Sequence, residues 1–247
     1  MKGGSWMRIL FIRPIITERP DFLEEEILKQ FAAPDTIIKA KHLEWGVDSI
    51  ESEYDLVFSA PFVVKLAEEA EKEGYDGIVS YCFVNPGVDA AREAVSIPIL
   101  GSGEAAVNLA LNLGRRIGII TILPNLLPLI RKQNQTYINM GRIMAIDSVN
   151  IPVLGLTDND RLIDILFEKA SQMIYKDEVD VIVLGCTGFG GIAKGLSQKL
   201  IMNNLNVPVI DPAGASVKVM EAIIGCNVRH SKKTFMPPID KIRKLPI

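Results

Sequence analysis

The sequence predicts an α/β protein built as two pseudo-symmetric, Rossmann-like parallel-sheet domains that face each other across a cleft. Three observations predict it. Short apolar runs alternate with segments of helical periodicity along the chain, the pattern of parallel strands covered by helices on both faces. Three pairs of segments recur in the same order, displaced by about a hundred residues. Each repeat carries a cysteine at the end of its buried strand.

The elements follow in order. Met7 to Ile12 (MRILFI) is a strand bounded by Pro14. Phe22, Leu23, Ile27, Leu28 and Phe31 then fall at helical spacing, with a Glu24-Glu25-Glu26 first turn that suits the helix dipole. TIIKAKHL is the next strand. Ala60 to Glu73 reads as a helix, with Pro61 in its first turn and Gly74 past its end. GIVSYC is the strand after it.

The repeats set the domain plan. EGYDGIVSYC (73–82) matches DEVDVIVLGC (177–186): an acidic approach, a buried strand, then Cys. SIPILGSGEAAVNLAL (96–111) matches NVPVIDPAGASVKVMEA (206–222), and MRILFIRPI (7–15) matches RRIGIITIL (115–123). This period indicates duplicated domains rather than a solenoid, whose units are about 20 to 50 residues. The expected division is 7–100 plus 208–228 for the first domain, 101–207 for the second, and 229–247 as a C-terminal tail.

Composition narrows the function. The 247 residues are 48% hydrophobic and 23% charged, with a net charge of −3. That is enough to bury a full core, and nothing is basic enough to suggest nucleic acid. The apolar runs are short and punctuated, which argues against a membrane span. MKGGSWMRILFIRP passes from one Lys into a strand, so no secretory leader is expected, and Met7 is a candidate start after a short extension. Three cysteines make no disulfide framework, and a cytoplasmic location is expected.

The cysteines are the candidate chemistry. In parallel α/β sheets, ligands bind beyond the carboxyl ends of the strands, where Cys82 and Cys186 both fall. Taken singly, each reads as a small buried hydrophobe. Packing gives no reason for thiols at both matching places. Thr187-Gly188 and Gly190-Gly191 leave backbone amides open ahead of a helix through Ile192, Ala193, Leu196 and Leu200, a terminus expected to lower a thiol's pKa. After Cys82, Asn85 and Pro86 are ordinary signals of a helix start. A Cys–His nucleophile finds only His42 and His230, neither at a strand end, and His230 reads as a solvated residue of the tail. No C-x-x-C or Cys/His cluster suggests a metal or redox pair. Cys226 lacks a repeat partner and reads as structural. GSGEAA and GCTGFGG lack the spacing of phosphate loops and read as helix starts.

SYCFVNPGVDAAREAVSIPILGSGEAA together with VDVIVLGCTGFGG and VPVIDP resembles the aspartate/glutamate/hydantoin racemase superfamily. Residues 49–82 are similar to its hydantoin racemase branch, which includes allantoin racemases. The resemblance spans most of residues 7–225. It implies an active site in the cleft, no cofactor and no metal, and an acid/base pair of Cys82 and Cys186 that inverts a stereocentre beside a carbonyl. It also implies substrate contacts from the amides of Phe83, Val84, Thr187 and Gly188, and from Thr121. The expected partners are a small-molecule substrate and further copies of the chain, without nucleic acid or membrane.

Departures from the family pattern bear on the substrate. Amino-acid racemases of the superfamily carry Asn-Thr after the first Cys and His or Glu two residues after the second; here Phe83-Val84 and Gly188 stand there. A neutral ring, a 5-substituted hydantoin or allantoin, therefore fits better. Amino-acid racemisation and maleate-type isomerisation remain alternatives within the superfamily, and a non-catalytic metabolite-binding protein is the alternative outside it. The usual Asn-Pro-Asn turn is Arg13-Pro14-Ile15 here, with Arg13 either meeting an anionic group or lying on the surface; Asn85 replaces a usual Asp.

Overall fold

A computed structural model describes residues 6–243, and the side chains of Asp21 and Phe22 are not described. Most of the expected N-terminal extension and the end of the tail therefore lie outside the described residues, as does the packing of Phe22. The first half runs β1 (Met7–Arg13), α1 (Asp21–Lys29), β2 (Thr36–His42), α2 (Glu53–Lys72), β3 (Gly77–Ser80), α3 (Val88–Ala94), β4 (Ile99–Gly101) and α4 (Ser102–Ala110). The second runs β5 (Ile117–Thr121), α5 (Leu127–Gln133), α6 (Gln135–Asn139), β6 (Ile143–Ser148), α7 (Asn159–Asp177), β7 (Val181–Leu184), α8 (Ile192–Met202), β8 (Val209–Ile210) and α9 (Pro212–Gly225). The strands form two parallel four-stranded sheets, ordered β2-β1-β3-β4 and β6-β5-β7-β8. The expected α/β architecture, with its internal repeat, is thus the observed one.

The repeat extends to individual hydrogen bonds. The Asp76 amide donates to the Arg8 carbonyl and the Asp180 amide to the Arg116 carbonyl, both at 2.8 Å. In return the Arg8 amide donates to the Asp76 carboxylate at 2.8 Å, and the Arg116 amide to that of Asp180 at 2.8 Å. Each acidic approach therefore locks the start of a central strand to its neighbour. Ile78 and Ile182 donate equivalently to the carbonyls of Pro98 and Pro208, both at 2.9 Å. Because β3 and β7 start in equivalent registers and are equally long, they end at equivalent depths.

The division of the chain differs from the expected one at two points. β8 pairs with β7, so residues 209–210 belong to the second sheet and not to the first. α9 then crosses back to pack on β1, β3 and β4, while α4 crosses from β4 to pack on β7 and β8. The two crossing helices meet through a hydrogen bond between the fully buried hydroxyls of Ser216 and Ser102, 3.0 Å long. We propose boundaries inside these crossings, at 101/102 and 210/211, in place of 100/101 and 207/208.

Three local expectations also change. α2 begins at Glu53 rather than at Ala60, because the Ser52 hydroxyl accepts the Asp55 amide at 3.1 Å and caps it; Pro61 lies inside the helix. Asn85 does not cap α3, whose N-cap is Gly87 in the left-handed conformation (φ 72°). Its side-chain oxygen instead accepts the Gly103 amide at 2.9 Å, seating the loop after Cys82 on the start of α4. His230 is half-buried, accepts the Ile99 amide at 2.9 Å and meets Phe235 edge-on, so the tail is docked there on β4. Among the described residues, no helix is long and apolar enough to cross a membrane.

GSG in 101–103 has a steric purpose. A Cβ at Gly103 would collide with the carbonyl oxygen of Phe83, and one at Gly101 with the side chain of Asn85. We expect Gly103→Ala to push the Cys82 loop off α4 at a cost of about 1–3 kcal/mol. A thermal melt reads this as a melting temperature lowered by several degrees; an unchanged one would mean that the loop is not held there.

Candidate active site

The loops beyond the carboxyl ends of β1, β3, β5 and β7 enclose one cavity of about 310 Å³ between the two sheets. Cys82, following β3, and Cys186, following β7, both line it. The first is partly exposed and the second buried. After Cys186 the chain makes a short 3-10 turn, Thr187–Phe189, that brings the Gly188 amide back to donate to Cys186 Sγ at 3.2 Å. At Cys82 the neighbouring Val84 and Phe83 amides favour the ionised sulfur.

Burial governs the protonation of both sulfurs. It pushes the Cys82 thiol up to about 11, against the pull of the Val84 and Phe83 amides. Cys186 is pushed up to about 12 by burial, which outweighs the downward pull of the Gly188 and Phe189 amides, with smaller upward contributions from Cys82 and Glu51. The expected lowering by a helix terminus is therefore not realised. α8 starts only at Ile192, and the Gly191 amide ahead of it donates to Asp211 at 3.3 Å. Both cysteines are thiols at neutral pH, and each sulfur feels the charge state of the other.

Of the other expected contacts, Arg13, Phe83, Val84, Thr187 and Gly188 line the cavity and Thr121 does not. Thr121 is fully buried, and its hydroxyl donates to the Gly185 carbonyl at 2.9 Å, tying the end of β5 to the end of β7. The Gly188 amide points at Cys186 Sγ, and the Val84 and Phe83 amides lower the Cys82 thiol against its burial, so these amides act first on the thiols. Arg13 is 7% exposed and ion-paired to Glu24 at 3.6 Å, which removes the surface alternative for it. Thr187 reaches across the halves, its hydroxyl donating to the Tyr81 carbonyl at 3.5 Å.

Tyr81, Glu24, Arg19, Ser49 and Asn159 also line the cavity, and sequence reasoning missed them. Tyr81 had a signal, as the residue immediately before Cys82. Glu24 sits in an acidic first turn that the helix dipole alone explained. Cys226 is exposed and not among the lining residues. Among the described residues, no group of three or more His, Cys, Asp or Glu is placed to hold a metal ion.

Residues 23–220 match the model of the family described as Asp/Glu/Hydantoin racemase. The chain belongs to that family. It is 33% identical over 237 residues to the hydantoin racemase of Pseudomonas sp. (strain NS671), covering 95% of this chain and 93% of that one. It is 30% identical over 242 residues to the hydantoin racemase of Paenarthrobacter aurescens, covering 95% and 99%. Its structure is similar to the allantoin racemase from Klebsiella pneumoniae, with a TM-score of 0.88, 31% identity and 97% of each chain covered. The protein is thus an isomerase of the racemase type.

Position 188 leaves little room for a side chain beside Cys186. A Cβ at Gly188 would lie 3.1 Å from Leu156 Cδ1 and 3.3 Å from Cys186 Sγ. A His or Glu there would have to displace the sulfur or the leucine.

The raised thiols carry a measurable consequence. Iodoacetamide attacks the thiolate, so alkylation of Cys82 and Cys186 should accelerate by about tenfold per pH unit from pH 7 to 9 without levelling. Mass spectrometry of the modified peptides follows each site. A plateau below pH 8 would show that the amides outweigh burial.

Proposed function

We propose that the protein is a cofactor-independent racemase acting on a 5-substituted hydantoin or allantoin, with Cys82 and Cys186 as its acid/base pair. The observation that carries the reading is the cavity itself. Two thiols reach it from the ends of two pseudo-symmetric strands, Cys186 accepting the Gly188 amide and Cys82 favoured in its ionised form by the Val84 and Phe83 amides. Inversion needs a base on one face of the stereocentre and an acid on the other, and two facing half-sites supply this. Hydantoin and allantoin racemases among the relatives supply the substrate class.

The proton balance is simple. With one sulfur ionised, the thiolate takes the C5 proton and becomes a thiol. The electron pair left on carbon spreads onto the neighbouring carbonyl as an enolate. The opposite thiol delivers its proton to the other face and becomes the thiolate, so product leaves with the protonation pattern reversed. Coupling between the sulfurs favours this arrangement: once one is ionised, its charge raises the other, which stays protonated as the acid. The amides at each sulfur stabilise whichever carries the charge. The low polarity that makes the first ionisation costly also strengthens those amide–thiolate contacts once made.

The cavity walls near the thiols offer Phe83, Val84, Ile122 and Leu156 rather than groups to anchor an α-amino carboxylate, in keeping with a neutral ring. A cytoplasmic enzyme assembled from identical subunits, with a small-molecule substrate, is part of the same proposal.

An enantiopure 5-substituted hydantoin incubated in D2O is expected to lose optical rotation and gain deuterium at C5. Cys82→Ser and Cys186→Ser should each lower racemisation by at least about 10²-fold, the scale of general acid–base catalysis. Full racemisation by either variant would defeat the two-thiol assignment. Binding without exchange would make the protein a metabolite-binding module instead.

A further inference from the structure

The cavity also holds a cluster of buried polar side chains that the proton transfer does not use. Tyr81, Arg13 and Glu24 all line it and are 4%, 7% and 7% exposed. Arg13 and Glu24 pair at 3.6 Å. The Tyr81 ring is fixed edge-on against Phe11, with centroids 5.6 Å apart and planes at 78°, and its amide donates to the Ile12 carbonyl at 2.8 Å. Its hydroxyl is buried, lies near the Glu24 carboxylate, and makes no hydrogen bond of normal geometry.

A buried hydroxyl whose one neighbouring acceptor, the Glu24 carboxylate, is out of good hydrogen-bond geometry is poorly satisfied by the fold, and a phenylalanine would keep the ring packing without that cost. A ligand that bridges the hydroxyl and the carboxylate would satisfy both.

We infer that Tyr81 is a specificity-determining residue whose hydroxyl donates to a carbonyl on the C5 substituent of the substrate, with Glu24 beside it accepting from an adjacent N–H. The inference rests on the hydantoin-racemase reading of this cavity. The ring belongs between the thiols, among the amide loops, which leaves the Tyr81 cluster to the substituent. The chemistry of the cluster defines the end group. Tyr81 is a donor held protonated by burial and by the Glu24 charge. Glu24 as a carboxylate only accepts. The Arg13 and Glu24 charges offset each other, and Arg19, the further cation on the lining, is exposed to solvent, so the buried pair does not call for an ion. A carboxylate would meet Glu24 in repulsion, and an alkyl end would leave the hydroxyl unsatisfied. A primary carboxamide or a urea carries a carbonyl and N–H groups side by side and satisfies both.

Three hydantoins of nearly equal shape test this: 5-(2-carbamoylethyl)-, 5-(3-methylbutyl)- and 5-(2-carboxyethyl)hydantoin. For the unaltered protein, kcat/KM for the carbamoyl compound should exceed that for each of the others by about tenfold or more, the worth of one buried neutral hydrogen bond. Tyr81→Phe, which keeps the ring and its contact with Phe11, should collapse the carbamoyl-to-methylbutyl ratio toward one. A ratio unchanged by Tyr81→Phe overturns the proposal, because a merely structural tyrosine would lower both substrates alike. Preference for the carboxyethyl compound overturns it too, by making Arg13 the dominant group. If none of the three is racemised, the racemase reading has failed. Calorimetric dissociation constants for the same compounds, with and without the substitution, then decide the role of Tyr81 independently.

Discussion

The loops after β3 and β7 each carry a cysteine into the cavity between the sheets and desolvate its sulfur, and the character of the site follows from that desolvation. Desolvation sets the resting protonation, because it outweighs the amide contacts at both cysteines. It also makes the two sulfurs sensitive to each other, since a charge in a dry cavity is felt where water would screen it. An exposed pair of thiols would be screened by water and would ionise nearly independently.

That desolvation depends on register. Asp76 and Asp180 fix the starts of β3 and β7 against β1 and β5, so the strands deliver their cysteines to matching depths. The crossing of α4 and α9 then holds the halves together. Each helix continues from an edge strand of one sheet and packs on the other sheet, and the Ser102–Ser216 hydrogen bond joins them in the dry interior. A cleft made by two loosely linked lobes would let the sulfurs drift apart. Exchanged helices make the separation a property of the core.

Much of this was legible in the sequence. The buried strands, their repeat and the pairing of Cys82 with Cys186 follow from apolar periodicity and spacing, which report what is local and what is duplicated. Three features were not. The pKa direction depends on how much water reaches the sulfur, and the glycines after Cys186 suggested a helix terminus where the chain makes a 3-10 turn first. The allocation of β8 and α9 depends on which sheet accepts them, and short segments at a domain crossing carry no periodicity that tells. Thr121 ends its strand as the repeat requires, yet its hydroxyl turns to Gly185 rather than to the cavity.

The departures from the family pattern become coherent once placed in space. Gly188 keeps side chains away from Cys186, so polarity near the stereocentre comes from backbone amides. The cavity's charged side chains are Arg13, Arg19 and Glu24, from β1, α1 and the loop joining them. Glu24, from the first turn of α1, is buried against Arg13 at the end of β1. A buried arginine without such a partner would be expensive, so Arg13 depends on Glu24 to stay in the cavity wall. The pair gives the wall beside Tyr81 a buried, hydrogen-bonding surface without leaving an uncompensated charge there, and so polarity that a substrate can read comes at no cost of an isolated buried ion.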